Sequence, residues 1–441
     1  MKTPICDFVK NYIEKDGLRL HMPGHKGSSF LGAEIMDITE IQGADSLYEA
    51  SGIIKESEQN ASEIFGCHTF YSAEGSSLSI KAMLYLAVTL GRKGEEKPVV
   101  YAGRNAHKAF LSAAALIDFE VEWIFGSENY LSCNINPEEL DKKLNSAKVK
   151  PVAVYVTTPD YLGNLQDIRE ISKVCKKHGV LLLVDNAHGA YLKLLEKSMH
   201  PIDLGADMCT DSAHKTLPVL TGGGYLHISK SLDTRYKEQA KNAMLLFGST
   251  SPSYLILQSL DMANKYMEEC KECFGAFVRK VESLKDNLKN SGFEILGNEP
   301  LKVTISTKPY GYTGAEFAEI LRGKNIECEF ADPDFVVLML TPQLENKFSE
   351  IEKELKSIPE RQEVLKKMPQ ILKPEKVLGI REAMFSDKEK CTLEDSLGRV
   401  LAEGVLSCPP AVAPVVCGER IDQSAIECFK YYGTENLWVV K

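Results

Sequence analysis

At 441 residues the chain is long enough for two or three domains, and 44% hydrophobic with 26% charged residues is ordinary for a globular protein. Its net charge of −10, from 52 basic and 62 acidic side chains, argues against nucleic acid as the main partner, because phosphate backbones attract basic surfaces. No stretch is long and apolar enough to cross a bilayer, and the charged, amphipathic N-terminus lacks the apolar core of a signal peptide, so no membrane partner and a cytoplasmic location are expected. Twelve scattered cysteines read as reduced or incidental thiols; the one close pair, Cys270 and Cys273, lies in a charged helical pattern with no second pair to make a metal site.

In chain order, residues 3–16 place Ile5, Phe8, Val9, Tyr12 and Ile13 on one helical stripe, ended by Gly17. HMPGHKGS (21–28) reads as a shaped loop. His21 and His25 are separated by Pro23 and Gly24, so they share no helix face, and no metal is expected there. Residues 37–66 read as an arm crossing to a neighbouring domain or subunit, running into a helix at 55–65. HTFYSA (68–73) is strand-like, EGSS (74–77) a turn, and LSIKAMLYLAVTL (78–90) a helix. Backbone N–H groups at Gly75, Ser76 and Ser77, with the two hydroxyls, suit a phosphate dianion. The same serines also fit a plain helix cap, and no Walker-type lysine follows.

Strands and helices then alternate. Strands are expected at 98–103, 120–126, 151–159, 180–191, 206–210 and 222–229, with helices at 105–117, 137–145 and 166–179. Apolar strands between amphipathic helices predict a mainly parallel sheet covered on both faces, with ligands at the carboxyl ends of its strands. A helix opening at Ser-Pro covers 250–263, and a long charged one fills 264–290. Strands at 292–297 and 301–307, a helix at 313–322, the stretch 326–342 and a helix at 345–356 predict a smaller α+β layer. The tail carries short helix and turn at 392–406, a proline-rich stretch at 408–422, and a closing helix and strand. The expected divisions are an arm (1–60), a large domain (61–290), a small domain (291–365) and a C-terminal domain (366–441).

The unusual polar residues fall at the expected strand ends, and they converge on one chemistry. Lys215, in DSAHKTLPVLTGGGYLH (211–227), is an amine placed just past a strand, between Ser212, His214 and a glycine run. Taken alone it also fits a surface lysine in a turn. Asp185 ends a very apolar strand, where a carboxylate is costly unless paired. A protonated pyridine nitrogen is such a partner. Side chains alternate along a strand, so Ala187 shares the face of Asp185 and can pack flat against a ring. With the 74–77 turn for a phosphate, helped by Ser212 and His214, and His107 for the other ring face, the set predicts that Lys215 forms a Schiff base with pyridoxal 5'-phosphate (PLP).

HMPGHKG (21–27), the EGSS turn, RNAHK (104–108), DNAHGAY (185–191), SAHKTLPVLTGGGYLH (212–227), TSPSYLILQSLD (250–261) and PPAVAPVVCGE (409–419) together resemble the Orn/Lys/Arg decarboxylase family. These are fold-type-I PLP enzymes of the aspartate-aminotransferase superfamily. The resemblance implies an α/β, aspartate aminotransferase-like PLP-dependent transferase fold, with a mainly parallel sheet in the large domain, a smaller α+β domain and a C-terminal segment. It implies that Lys215 carries the cofactor and Asp185 binds the pyridinium. It places His107 on the ring, His188 near cofactor and substrate, and Ser76, Ser77, Ser212 and His214 on the phosphate. Thr250 or Ser251 would reach the phosphate of a partner subunit, implying a homodimer with shared active sites. Glu419 matches a position near the substrate's distal cation. No N-terminal receiver-like domain of the kind that larger relatives carry is expected, nor the higher-order rings that those domains build. The tail and Tyr191 depart from the family pattern, which bears on substrate choice rather than on cofactor binding.

The implied reaction removes the α-carboxylate of a basic L-amino acid (lysine, ornithine or arginine), with Lys215 or His214 reprotonating the α-carbon. A desolvated ammonium or guanidinium needs an acidic partner, for which Asp45, Glu74 and Glu419 are candidates. Two alternatives remain open from sequence: another PLP reaction on the same fold, such as transamination or elimination, and a non-catalytic regulatory homologue.

Overall fold

The computed structural model describes residues 1–92, 94–126, 130–370, 372–403 and 411–441. The expectations at 404–410, within the tail segments, lie outside the described residues. The strands, in chain order, are β1 (His68–Ser72), β2 (Val99–Gly103), β3 (Glu120–Ile124), β4 (Ala153–Thr157), β5 (Leu181–Asp185), β6 (Met208–Asp211), β7 (Gly224–Ile228), β8 (Glu294–Leu296), β9 (Lys302–Ser306), β10 (Phe330–Ala331), β11 (Phe335–Met339), β12 (Lys388–Thr392) and β13 (Asn436–Val440). The fold is mixed α/β with a large, mainly parallel sheet.

Two compact units are present, and they do not follow the four sequence divisions one to one. The first comprises Met1–Pro98, Leu144–Val156 and Ile168–Cys273; the second comprises Val99–Lys143, Thr157–Asp167 and Phe274–Lys441. In the first, the strand order is β1-β7-β6-β5-β4. β5 and β6 are parallel, with Asp185 opposite Thr210; β7 runs antiparallel to both β6 and β1. The helix Gly75–Gly91 packs against β5, β6 and β7. Its buried residues Leu78, Ile80, Met83, Leu84, Leu86 and Ala87 surround the axis, as expected of a helix enclosed on all sides.

That helix starts three residues earlier than the sequence suggested. Gly75, Ser76 and Ser77 form its first turn rather than a preceding loop, which strengthens the case for an anion at its N-terminus. The two helices expected at 250–263 and 264–290 are present as Tyr254–Cys270 and Phe274–Lys289, with the break between them at 271–273 rather than at 263. A tight turn separates them, with the Cys273 N–H donating to the Cys270 carbonyl at 3.1 Å; no glycine or proline marks it. Residues 21–27 form no regular element. His21 meets Tyr12 (Nε2 to Oη, 2.6 Å) while His25 meets Asp37 (3.2 Å), so the two histidines do not converge.

In the second unit β2 and β3 pair in parallel. An antiparallel sheet of order β10-β11-β9-β8 forms the expected α+β layer. β12 and β13 pair antiparallel over a core of Leu393, Leu401, Val415, Ile421, Ile426, Phe429, Leu437 and Val439.

Candidate active site

β5 and β6 carry the site to their carboxyl ends. β5 is LLLVD: four apolar residues hold it in the sheet and deliver Asp185, 1% exposed, at its tip. The Asp185 carboxylate accepts from the Tyr155 hydroxyl at 3.0 Å and from the Ala187 N–H at 3.2 Å. Burial pushes its pKa up, and the charge of Lys215 is the strongest influence pulling it back. Lys215 belongs to a short helical turn, Ala213–Thr216, that follows β6 directly. Its Nζ lies 3.1 Å from Nε2 of the buried His188. Lys215, Asp185 and His188 are therefore brought together, as the sequence reading expected.

The residues expected to cradle a phosphate lie together in the same unit. Ser212 Oγ donates to Ser76 Oγ at 2.8 Å. Gly75 has φ +68°, which only glycine adopts readily. A Cβ on Gly224 would lie 2.9 Å from the Asp211 carbonyl oxygen and 3.0 Å from the Gly75 carbonyl carbon, so the glycine run lets β7 approach this turn closely. One detail differs from expectation. The Gly75 N–H is spent on the Gly222 carbonyl at 2.5 Å, which leaves the first-turn groups of Ser76 and Ser77 for an anion. His214 donates its backbone N–H and Nδ1–H to the Gly223 carbonyl, at 3.1 and 2.8 Å, which turns Nε2 away from that bond.

The remaining candidates stand as follows. Thr250 and Ser251 are exposed. His107 belongs to the second unit, where Nδ1 accepts from the Ala109 N–H at 3.2 Å and caps the helix Lys108–Ile117. Asp45 accepts from the N–H groups of Ser46, Ser51, Gly52 and Ile54, and so closes the start of the helix Ile53–Phe65. Glu419 is buried and bidentate to Arg104, at 2.8 and 2.6 Å, and also accepts from the Val416 N–H. Glu74 is exposed and accepts from the Ser249 N–H at 2.5 Å. Tyr155 was missed by the sequence reading, because a tyrosine in the apolar run AVYVT gives no signal beyond packing.

The donor set fits PLP. A buried carboxylate balanced by a lysine amine suits a pyridinium nitrogen and an aldehyde, and a serine-lined helix start suits the phosphate. Comparison with known proteins agrees. Residues 3–296 match the family model described as Orn/Lys/Arg decarboxylase, major domain. The chain belongs to the Orn/Lys/Arg decarboxylase family. The arginine decarboxylase of Halalkalibacterium halodurans is 29% identical, covering 96% of this chain and 92% of the relative. An uncharacterised Bacillus subtilis protein is 28% identical over 97% of this chain and 93% of its own. Among solved structures, lysine decarboxylase A from Pseudomonas aeruginosa superposes with a TM-score of 0.81 at 17% identity, covering 99% of this chain and 80% of that one. The decarboxylase is PLP-dependent and acts on basic amino acids.

Proposed function

We propose that Lys215, Asp185 and His188 form the reacting centre of this decarboxylase, with Ser76, Ser77 and Ser212 holding the cofactor phosphate and arginine as the first substrate to test. The observation that carries the reading is the convergence of a buried carboxylate and a lysine amine at the ends of two adjacent parallel strands. Bound there, PLP supplies an electron sink for the pair released when the bond from Cα to the carboxylate breaks. The chain's own groups do the rest. Asp185 keeps a proton on the ring nitrogen, because an ionised carboxylate in so dry a place favours a cation beside it. Lys215 would hold the cofactor through its amine and would supply the proton that the α-carbon takes up. His188, hydrogen-bonded to Lys215 Nζ, orients that amine.

Asp45 and Glu419 are spent on backbone and arginine partners inside the chain. Glu74, exposed and next to the phosphate turn, is the remaining candidate for the distal cation. Ala187 and His214 keep the ring-facing and phosphate-side roles that the resemblance implies. Support for a homodimer comes from the N-terminal arm. Leu18, Leu20, Met22, Phe30 and Leu31 are 70–94% exposed, an apolar set that a second copy would cover, and Thr250 and Ser251 are open to a partner's phosphate. No helix among the described residues is long and apolar enough to cross a membrane, which accords with a cytoplasmic enzyme. The Halalkalibacterium relative's name favours arginine.

The test is an amino-acid panel with PLP-loaded protein. Carbon dioxide with agmatine from arginine supports the proposal. A keto acid, or no turnover of any basic amino acid, overturns it.

A further inference from the structure

Behind Lys215 and Asp185 the first unit buries a second charged cluster that the proposed reaction does not use. Asp211, the last residue of β6, is fully buried. Its Oδ2 lies 3.0 Å from His200 Nε2 and 3.2 Å from His227 Nε2. Its Oδ1 accepts from Asn186 Nδ2 at 2.7 Å and faces the Cys209 thiol at 3.5 Å. On its far side His227 Nδ1 meets the Thr69 hydroxyl at 3.0 Å and the Cys67 thiol at 3.6 Å. Phe65 packs on both imidazoles and on Tyr225.

Asn186 and Asp211 are the neighbours of the two active-site tips. Asn186 follows Asp185, and Asp211 precedes Ser212. The Asn186 N–H donates to the Thr210 carbonyl at 2.9 Å, and its side chain then bonds Asp211. The parallel ladder of β5 and β6 is thus extended by one side-chain rung, at the point where the two strands present Asp185 and the Lys215 turn.

Charge enters the same argument. Burial alone would push the Asp211 carboxyl up, but His200 and His227 outweigh it and hold the group well below the carboxylate range. Burial pulls the His227 imidazole down, and Asp211 more than reverses this. The pair therefore reads as imidazolium and carboxylate. Asp211 is also one of the groups that push the Asp185 carboxyl up. An uncompensated charge at 211 would keep Asp185 protonated and deprive the ring nitrogen of its partner.

We propose that Asp211 is a positioning residue for the Lys215–Asp185 site, tied to it through Asn186, and that His227, with His200 hydrogen-bonded to the same carboxylate oxygen, neutralises it so that Asp185 alone presents negative charge to the cofactor. The inference rests on the PLP reading above. His200, Cys209 and Asp211 also have donor atoms within 4.8 Å of one another, a grouping able to hold a metal ion. Protons account for it better: the imidazole nitrogens sit at hydrogen-bond distance from one carboxylate oxygen, and burial holds the Cys209 thiol well above its usual range.

The experiment compares wild type, His227→Gln, Asp211→Asn and the double variant. Readouts are PLP affinity from fluorescence titration of apoprotein, the pH midpoint of the cofactor's visible absorbance, and thermal melting. His227→Gln is expected to weaken PLP binding at least tenfold and to move the absorbance midpoint upward, because unmasked negative charge favours protonated forms nearby. The double variant is expected to recover affinity to within about threefold of wild type, although its melting temperature stays low. No recovery in the double variant, or an unmoved midpoint in His227→Gln, overturns the proposal. So does one equivalent of bound divalent metal in the purified protein. If the histidine variants do not fold, Asn186→Ala decides: severalfold weaker PLP binding supports the positioning role, and wild-type binding overturns it. Borohydride reduction of the wild type separates the two levels. Cofactor fixed on Lys215 without rescue in the double variant rejects this inference alone; cofactor fixed elsewhere rejects the site reading itself.

Discussion

Two buried carboxylates, one in each unit, are held in opposite ways. In the second, Glu419 is clamped by the two terminal nitrogens of Arg104, and the same guanidinium lies 5.0 Å from the Trp123 ring. Asp334 is held there by Lys308 and by the Tyr431 hydroxyl. In the first, Asp185 meets a neutral tyrosine and one backbone N–H, and its nearest compensating charge is the amine of Lys215. A buried carboxylate matched by a committed cation does architectural work. One balanced by a lysine amine, as at the proposed reacting centre, has no such fixed partner. Sequence reasoning assigned Asp185 to the cofactor ring and Glu419 to the substrate's distal cation; in the fold their partners differ in kind.

The sharpest way to break this contrast is Lys215→Ala. Turnover is expected to fall by about 10³-fold or more, given the size of acid–base contributions, with loss of borohydride-fixed cofactor. Retained turnover would remove the distinction between the two carboxylates. Arg104→Ala probes the other side. Leaving Glu419 buried without its cation is expected to cost roughly 3–5 kcal/mol of stability, read from urea unfolding, while the preference among arginine, lysine and ornithine stays as in wild type. A changed preference at unchanged stability would return Glu419 to the substrate site.

A third test uses pH. The Asp332 carboxyl, in the second unit, is pushed up to about 7 by burial. Its Oδ1 accepts two backbone N–H groups, and Oδ2 has no hydrogen-bond partner among the described residues. The folded chain therefore keeps a proton that an unfolded aspartate, with its pKa near ~3.9, has released. Stability from this group is fully present below the unfolded value and falls as pH rises toward 7, on the order of 1 kcal/mol per pH unit. Urea midpoints at pH 5 and pH 8 should show that slope in wild type and a shallower one in Asp332→Asn; equal slopes would show that the burial is not felt. The smallest effect is expected for Glu74→Gln. An exposed carboxylate meeting the substrate's distal cation should raise KM roughly two- to fivefold with little change in kcat, and an unchanged KM would remove Glu74 from the substrate site.

The alternation of apolar strands with amphipathic helices, the serine-lined helix start, Lys215 and Asp185 were legible in the amino-acid order, because each depends on local pattern: periodicity, a glycine run, a charge at the end of an apolar strand. The commitments of the other carboxylates were not. Arg104 and Glu419 are 315 positions apart, and nothing around either residue announces the other. Asp45 looks like any loop aspartate until the chain folds five backbone N–H groups onto it. His200, Asp211 and His227 read as unrelated polar residues until β6 and β7 are paired. Sequence alone fixes which side chains can ionise, but burial and the distance to a counter-charge set the free energy of ionisation, and both exist only once the chain has folded.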